Sequence, residues 1–297
     1  MKSQKSLQKI YLLLICLLCL FLGLATSMCS SSSDNESTGG LTLLLVDDPI
    51  DTVTSLNVTI DSIEVHGNGA PRELYLNEDV EQPVNILALE NGVFATLVDP
   101  NEPENILPAG TYGNLKIHIS DASITFTEDP NEVPTAATVP PGKFNVSGPF
   151  TISGGMINEL FLVFNAHNAL HQTGNDDYII NPSLKIVSKT VSGSVSGSVS
   201  PPPDEDGDVV LRVKVFANQG MENESAAFAE EDGSFELIPL RAGTHTISAQ
   251  WITLEGTVET DCRTHEHGDE IVVAEEKTEV GTITLPEGSP LCEENDS

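Results

Sequence analysis

Residues 41–66 read LTLLLVDDPIDTVTSLNVTIDSIEVH: an apolar run, an acidic proline turn, then a long alternating run. Leu41 to Val46 has the length and β-rich apolar character of a strand buried on both faces, and Asp47, Asp48, Pro49 and Asp51 punctuate a turn. In the following run Leu56, Val58 and Ile60 share one strand face, while Ile63 and Val65 fall in the opposite phase. A strand keeps a single apolar face across such a phase change only by inserting a residue, so a bulge is predicted near Asp61 and Ser62.

Working outward, strands separated by Gly, Pro, Asn and Asp clusters continue to about Ser188, with hardly any helical periodicity. Leu115, Ile117 and Ile119 alternate with Asn114, Lys116 and His118, a half-buried strand of period two. INELFLVFNA (157–166) and YIINPSLKIVS (178–188) are further strands, and PVNILALENG (83–92) reads equally as a short helix or a strand. TEDPNEVPTAATVPPG (127–142) is predicted to be a proline-rich loop overhanging one end of the sheet. The segments VDDPIDTVTSLNVTIDSIEVHG, AGTYGNLKIHISDASI and NPSLKIVS together resemble the family called domain of unknown function 4382, found in bacterial and archaeal secreted proteins and lipoproteins, over about Leu41 to Ser188. That resemblance implies a β-rich extracytoplasmic domain and assigns no activity to any residue.

Residues 1–28 place lysines, then the apolar core IYLLLICLLCLFLGLA, then small and polar residues, the order of an export signal. Its 16-residue core is near the lower limit for spanning a bilayer, so a retained anchor is the alternative. Cys29 resembles the lipidated cysteine of bacterial lipoproteins and is followed by a Ser-rich tether, residues 29–40. The usual motif has leucine three residues before the cysteine and a small residue just before it. Here Thr26, Ser27 and Met28 precede Cys29, and ordinary signal peptidase cutting after Ala25 or Ser27 stays open. Cysteine parity favours lipidation: Cys16 and Cys19 leave with the leader, Cys262 and Cys292 pair with each other, and Cys29 is otherwise an odd thiol in an oxidising compartment. A Cys262–Cys292 disulfide ties the tail to its domain and contributes about 3–4 kcal/mol on the chain-entropy account. Ser30 after the cysteine, by analogy with bacterial sorting signals, points to the outer membrane or cell surface.

The chain carries 45 acidic and 13 basic residues, a net charge of -32, and loss of Lys2, Lys5 and Lys9 with the leader takes this to -35. Such a surface disfavours nucleic acid and anionic lipid headgroups as partners. At 297 residues there is room for two domains after the leader.

VSGSVSGSVSPPPDEDGD (191–208) breaks the first pattern and marks the boundary, giving domains over 41–190 and 191–290 and an acidic tail over 291–297. Its VSGSVSGSV part is a linker or the next domain's first strand, and the regular Val191, Val195 and Val199 favour the strand. VVLRVKVFA and AEEDGSFELIPLRAGTHTISAQW resemble the carboxypeptidase-regulatory-like family with its transthyretin-like sandwich, a module without catalytic residues to transfer. The cue is the acidic turn Asp232–Gly233 before Phe235, with Leu240, Ala242, Gly243 and Thr244 opening the next strand; Phe235, Leu237 and Trp251 are core candidates. Gly92, Phe94, Leu107, Ala109, Gly110, Thr111 and Tyr112 echo Gly233, Phe235, Leu240, Ala242, Gly243, Thr244 and His245 in order. The echo means either two copies of one sandwich or one turn chemistry used twice.

Chemistry is less legible. Asp47, Asp48 and Asp51, with Asp61 near, offer hard oxygens to calcium but lack EF-hand spacing, and Asp204, Glu205, Asp206 and Asp208 are equally unspecific. His167 and His171 sit four apart without the glutamate of HExxH; His265 and His267, beside Asp261 and Glu266, are a denser metal candidate on one strand face or a polar hairpin tip. No nucleophile elbow, phosphate loop or zinc-ribbon cysteine set is present. The resulting expectation is an all-β, two-sandwich, non-enzymatic surface protein that binds a ligand, best a glycan, through loops at a sandwich end, with Tyr75, Tyr112, Tyr178 and Trp251 as stacking candidates. A structural component that docks a surface protein and an unrecognised hydrolase using a pair of acids are the alternatives.

Overall fold

The computed structural model describes residues 37–48, 53–126, 133–174, 177–200, 204–206, 209–219, 221, 224–255 and 258–285. The leader, Cys29, Asp51, Asp208 and Cys292, and the side chains of Asp48, Asp204, Glu205, Asp206, Asp261 and Cys262, lie outside what it describes. The fold is all-β, as the sequence implied, with only single helical turns among the described residues.

The first lobe is built from β1 (Thr38–Asp48), β2 (Val53–Gly67), β3 (Gly69–Leu74), β4 (Val84–Asn85), β5 (Ala95–Val98), β6 (Ile106–Pro108), β7 (Gly110–Phe126), β8 (Thr135–Thr138), β9 (Lys143–Ile152), β10 (Ile157–Asn165), β11 (Leu170–Gln172), β12 (Tyr178–Ile180) and β13 (Ser183–Ser188). One sheet runs β13-β10-β1-β5 with β6 also on β1; the other runs β11-β12-β8-β7-β2-β3, with β4 on β2 and β9 on β7. They face each other across one core that contains Leu41, Leu43 and Leu45 from β1, Leu160, Leu162 and Phe164 from β10, and the apolar phases of β2 and β7.

The predicted bulge is present. Pairing of β2 with β7 steps from Thr59–Asp121 to Ile60–Ile119 and on to Ser62–His118, so Asp61 and Ser120 are both extra residues at one height. The step lets Leu56, Val58, Ile60, Ile63 and Val65 all enter the same core. One expectation is resolved and another changes. PVNILALENG holds a two-residue strand, β4, followed by a short 3-10 helix, Ile86–Ala88. Within 127–142, Thr135–Thr138 is a strand: Ala137 pairs with both Ala122 of β7 and Tyr178 of β12, which buries it. β1 begins at Thr38, inside the 29–40 stretch read from the sequence as a tether.

The second lobe contains β14 (Ser192–Ser200), β15 (Asp204–Asp206), β16 (Val209–Ala217), β17 (Ser225–Phe228), β18 (Ser234–Arg241), β19 (Gly243–Glu255), β20 (Val258–Val272) and β21 (Lys277–Thr284). The sheets β18-β14-β21 and β15-β16-β19-β20, with β17 on β16, enclose a second core of Val195, Val199, Val213, Val215, Phe235, Leu237, Ile247 and Ile283, with Trp251 packed against it. VSGSVSGSV is therefore the central strand of a sheet.

The two lobes repeat one topology. In each, the first strand (β1, β14) has an antiparallel neighbour on one edge (β5 with β6, β18) and a parallel neighbour on the other (β10, β21). In the facing sheet, β2 pairs with β3 and β7, and β7 with β9, as β16 pairs with β17 and β19, and β19 with β20. The hydrogen bonds at the entry corner repeat as well. Ala109 N–H donates to Ser37 O (2.6 Å) and Ala242 N–H to Val191 O (2.9 Å). Gly155 N–H donates to Thr38 O (2.7 Å) and Glu275 N–H to Ser192 O (2.7 Å); Gly40 N–H donates to Met156 O and Ser194 N–H to Glu276 O, both 3.0 Å.

The echo in the sequence is this corner. Tyr112 Oη donates to Pro108 O (2.8 Å) and His245 Nε2 to Arg241 O (2.7 Å), each reaching back four residues to tie the strand end. Asn218 Oδ1 accepts from Thr246 N, which orients the Asn218 amide so that its Nδ2 donates to His245 Nδ1 (2.7 Å), leaving Nε2 as the ring donor. The first pair of the echo does not extend the likeness, because Phe94 is exposed whereas Phe235 is in the core.

Outside the sandwich, Leu44 and Val46 of β1 join Phe161, Val163 and Val187 in a third apolar cluster against Ile238 of β18. The second lobe thus covers the outer face of the first sheet, and a turn of the first lobe closes the junction. Asn91 Nδ2 donates to Phe228 O (2.9 Å) and Glu230 Oε1 (2.7 Å), and Asn91 Oδ1 accepts from Glu236 N (3.1 Å), so one amide bridges β17 and β18. Asn91 has φ 52° and the next residue, Gly92, φ 81°, the left-handed turn that an Asn-Gly pair adopts readily. Phe228 N–H donates to Glu90, whose Oε2 is buried with no hydrogen-bond partner. Burial pushes the Glu90 carboxyl up to about 7, with Glu230 adding to the rise and the Phe228 N–H, Arg212 and Lys214 opposing it.

Two outcomes follow. A Cβ on Gly39 falls 2.3 Å from Ser153 O and one on Gly193 falls 2.2 Å from Val273 O. Gly39→Ala and Gly193→Ala are each expected to cost about 1–3 kcal/mol in denaturant unfolding, since backbone must move. For Glu90 the folded-state pKa lies above the unfolded value, so the folded state holds an extra proton between pH 4.5 and about 7 and stability falls as pH rises through that window. Glu90→Gln, which removes the titration, is expected to unfold like the native chain near pH 4.5 and to be about 1–2 kcal/mol more stable at pH 8, a figure discounted for the solvent that reaches the group.

Candidate functional site: a polar face on the larger sheet

The phase of β2 and β7 that leaves the core forms an open face, and β9 extends it. Cross-strand pairing places Glu64 beside Lys116 and Lys116 beside Asn145, His66 beside Asn114 and Asn114 beside Ser147, and Ser62 beside His118 and His118 beside Lys143. These rows lie side by side because the bulge at Asp61 and Ser120 keeps both strands in phase above and below it.

The side chains are joined. Lys143 Nζ donates to Glu64 Oε1, and His66 Nε2 lies 3.2 Å from Glu64 Oε2. The Lys143 ammonium, with His66, holds the Glu64 carboxyl below the usual carboxylate range. Asn114 Nδ2 donates to Asn145 Oδ1, and Asn145 Nδ2 to Ser147 Oγ (2.9 Å). Ser120 Oγ donates to Asp61 Oδ1 (2.7 Å), and His118 Nδ1 lies 3.2 Å from Asp61 Oδ2. Higher on the same sheet Ser55 Oγ donates to Thr125 Oγ1 (3.0 Å) and Asn57 Nδ2 to Ser55 Oγ (3.1 Å). The result is a flat array of amides, hydroxyls, imidazoles and paired charges. It collects Lys116, Lys143, His66 and His118 in a chain with few cations, and it can exchange hydrogen bonds with a polar, hydroxyl-rich ligand laid along it.

A concavity of about 350 Å³ opens between the lobes, lined by residues that include Asn168, Ser183 and Lys185 on one side and Met221 and Glu224 on the other.

The candidates raised from the sequence are scattered. Asp47 is buried on β1, while Asp61 belongs to the polar face. His167 and His171 are both exposed, but the helical turn ends at Ala169, so they do not share a helix face. His265 pairs with Ala249, and His267 falls at a bulge between the Ser248–Glu266 and Ile247–Gly268 pairs, 3.8 Å from Glu270. Strand alternation therefore does not set the two imidazoles side by side. Among the described residues no three His, Cys, Asp or Glu side chains gather as a metal site. Tyr112 is a core residue and Tyr178 is half-buried against Phe126, while Tyr75 is exposed with its hydroxyl donating to Glu78. Residues such as His66, Lys143 and Asn145 carried no motif. Only the polar phase of their strands pointed to them, and the pairing that unites them is invisible before the fold is known.

No curated protein matches the chain. Among solved structures it is similar to a leucine-rich repeat protein of Bacteroides thetaiotaomicron (14% identity, 84% of this chain and 26% of that one, TM-score 0.22). It is also similar to the TIE protein of Bacillus anthracis (12% identity, 84% and 34%, TM-score 0.20) and to a candidate cell-adhesion protein of Bacteroides fragilis (9% identity, 84% and 94%, TM-score 0.22). The chain spans about a quarter of the first of these and a third of the second. Residues 38–182 match the family described as Domain of unknown function (DUF4382), which covers β1 to β12 of the first sandwich and leaves β13 and the second sandwich outside it.

Proposed function

We propose that the chain is an exported protein, anchored by lipid on Cys29, whose paired sandwiches hold a ligand-binding face at the cell surface, and that the ligand is a glycan. The observation that carries this reading is the hydrogen-bonded face of β2, β7 and β9. It offers donors and acceptors in rows at strand spacing, suited to a polymer rich in hydroxyls, with no large apolar side chain in the rows. This moves the expected binding surface from the loops at a sandwich end to a sheet face. The second sandwich, in its resemblance to the carboxypeptidase-regulatory-like module, serves as a rigid partner rather than an active domain, and a Cys262–Cys292 disulfide would secure its tail. The role is binding or scaffolding rather than catalysis.

A protein partner is the second reading, favoured by Val191, Ile271 and Val273, three exposed apolar residues on the segments that meet at the entry corner of the second lobe. Residues 29–297, applied to insoluble polysaccharides and cell-wall fractions with and without a calcium chelator, separate the two. The glycan reading expects retention that Lys116→Ala combined with Asn145→Ala lowers about tenfold, a loss of about 1.4 kcal/mol, while Ile271→Ser leaves it unchanged. Folded native protein that no fraction retains would overturn it, and retention that chelation abolishes would bring calcium back as a cofactor.

A further inference from the structure

We infer that the entry corner of the first lobe rests on the lipid bilayer, as an interfacial patch surrounding the point where the tether joins the sandwich. This rests on the lipid-anchor reading of Cys29. The described chain starts at Ser37, whose carbonyl accepts from Ala109 N and whose side chain abuts Gly154. Next to it β1 pairs Gly40 with Ile106 on one edge and Ile157 on the other. Directly paired residues share a sheet face, so two isoleucines flank a position with no side chain. Ile106, Met156 and Ile157 are 41%, 61% and 63% exposed, open for large apolar side chains, and the side chain of Pro100 lies over Gly40 between the two isoleucines. Tyr75 and Arg72 adjoin it: the Tyr75 backbone exchanges hydrogen bonds with the Asn105 side chain while its hydroxyl donates to Glu78, and Arg72 Nη1 donates to Ile106 O (3.3 Å). An exposed aromatic ring and a guanidinium near aliphatic side chains are residue types that settle at a membrane interface.

The second lobe supplies a comparison from inside the molecule. Its corner makes the same backbone hydrogen bonds, with Glu276 standing where Met156 stands and Lys277 where Ile157 stands. At these two positions the architecture therefore does not demand apolar residues, and the exposed apolar side chains of the second corner, Val191, Ile271 and Val273, stand at other positions. What differs is what each corner adjoins: the second continues from β13, and the first from the tether. From Cys29 to Ser37 the chain reaches at most about 29 Å however it is arranged, so a lipid on Cys29 keeps this corner near the bilayer. The surrounding acids, Glu102 and Glu104, make a zwitterionic surface the fitting one.

The test uses the full lipidated chain in phosphatidylcholine vesicles, with Trp251→Phe to remove the one tryptophan. Ile157→Trp places a reporter in the patch. Phe94→Trp places one just before the β5 end that pairs with Leu45, about 20 Å along β1 from the corner. Bromine-labelled lipid is expected to quench the reporter at 157 by about half or more and the one at 94 by less than about a tenth, because an interfacial side chain sits roughly 5–10 Å into the boundary. Mass analysis of the N-terminal peptide reads lipidation separately. A lipidated chain whose reporter at 157 is quenched no more than the one at 94 overturns this inference alone; an unlipidated Cys29 overturns the anchor reading and this inference with it.

Discussion

The molecule depends on the burial of both faces of β1. Leu41, Leu43 and Leu45 fill the first sandwich, and on the opposite face Leu44 and Val46 meet Phe161, Val163 and Val187 beneath Ile238 of the second lobe. A strand with one wet face would have alternated polar and apolar residues; this one does not, because a second body lies on it. Removing that apolar surface from water is the main reason for the lobes to hold together, at roughly 25 cal/mol per Å² buried. Asn91 then sets their register by satisfying backbone groups on two different strands with one amide. Both lobes fall within one compact unit that begins at Ser37.

One topology used twice shows which features are architectural and which are particular. Glycine at 39 and 193, the Ala-Gly step into β7 and β19, and the side chain reaching back four residues from Tyr112 and His245 occur in both lobes because the chain must pass tightly from one sheet to the other. Those features carry no ligand chemistry. The particular features are the polar rows on the larger sheet and the Glu90 carboxyl at the junction, and each lacks a copy in the other lobe. A repeated scaffold thus separates residues kept for the fold from residues free to serve a partner.

The local parts of this structure were legible in the sequence. The phase change between Ile60 and Ile63 revealed the bulge, the unbroken apolar run revealed a doubly buried strand, and LPAGTY against LRAGTH revealed the shared corner, since each is written within a few residues. What covers Leu44 and Val46 was not legible, because Ile238 lies some two hundred residues away along the chain. The same holds for TAAT at 135–138, a strand only because β7 and β12 flank it, and for Asn91, which lay in a stretch read as helix or strand and whose amide enters the second lobe. The polar face was half-legible. Alternation exposed its residues on β2 and β7, the third strand, β9, carried no reading from the sequence, and only the pairing register assembled them.

Calorimetric unfolding of residues 29–297 tests the account most directly. If the doubly buried β1 and the Asn91 bridge make one body of two sandwiches, a single transition is predicted, with van't Hoff and calorimetric enthalpies equal, and it should split into two when Ile238→Glu places a charge in the interface. Two separate transitions in the native chain would contradict the account, since the lobes would then be folding as independent beads.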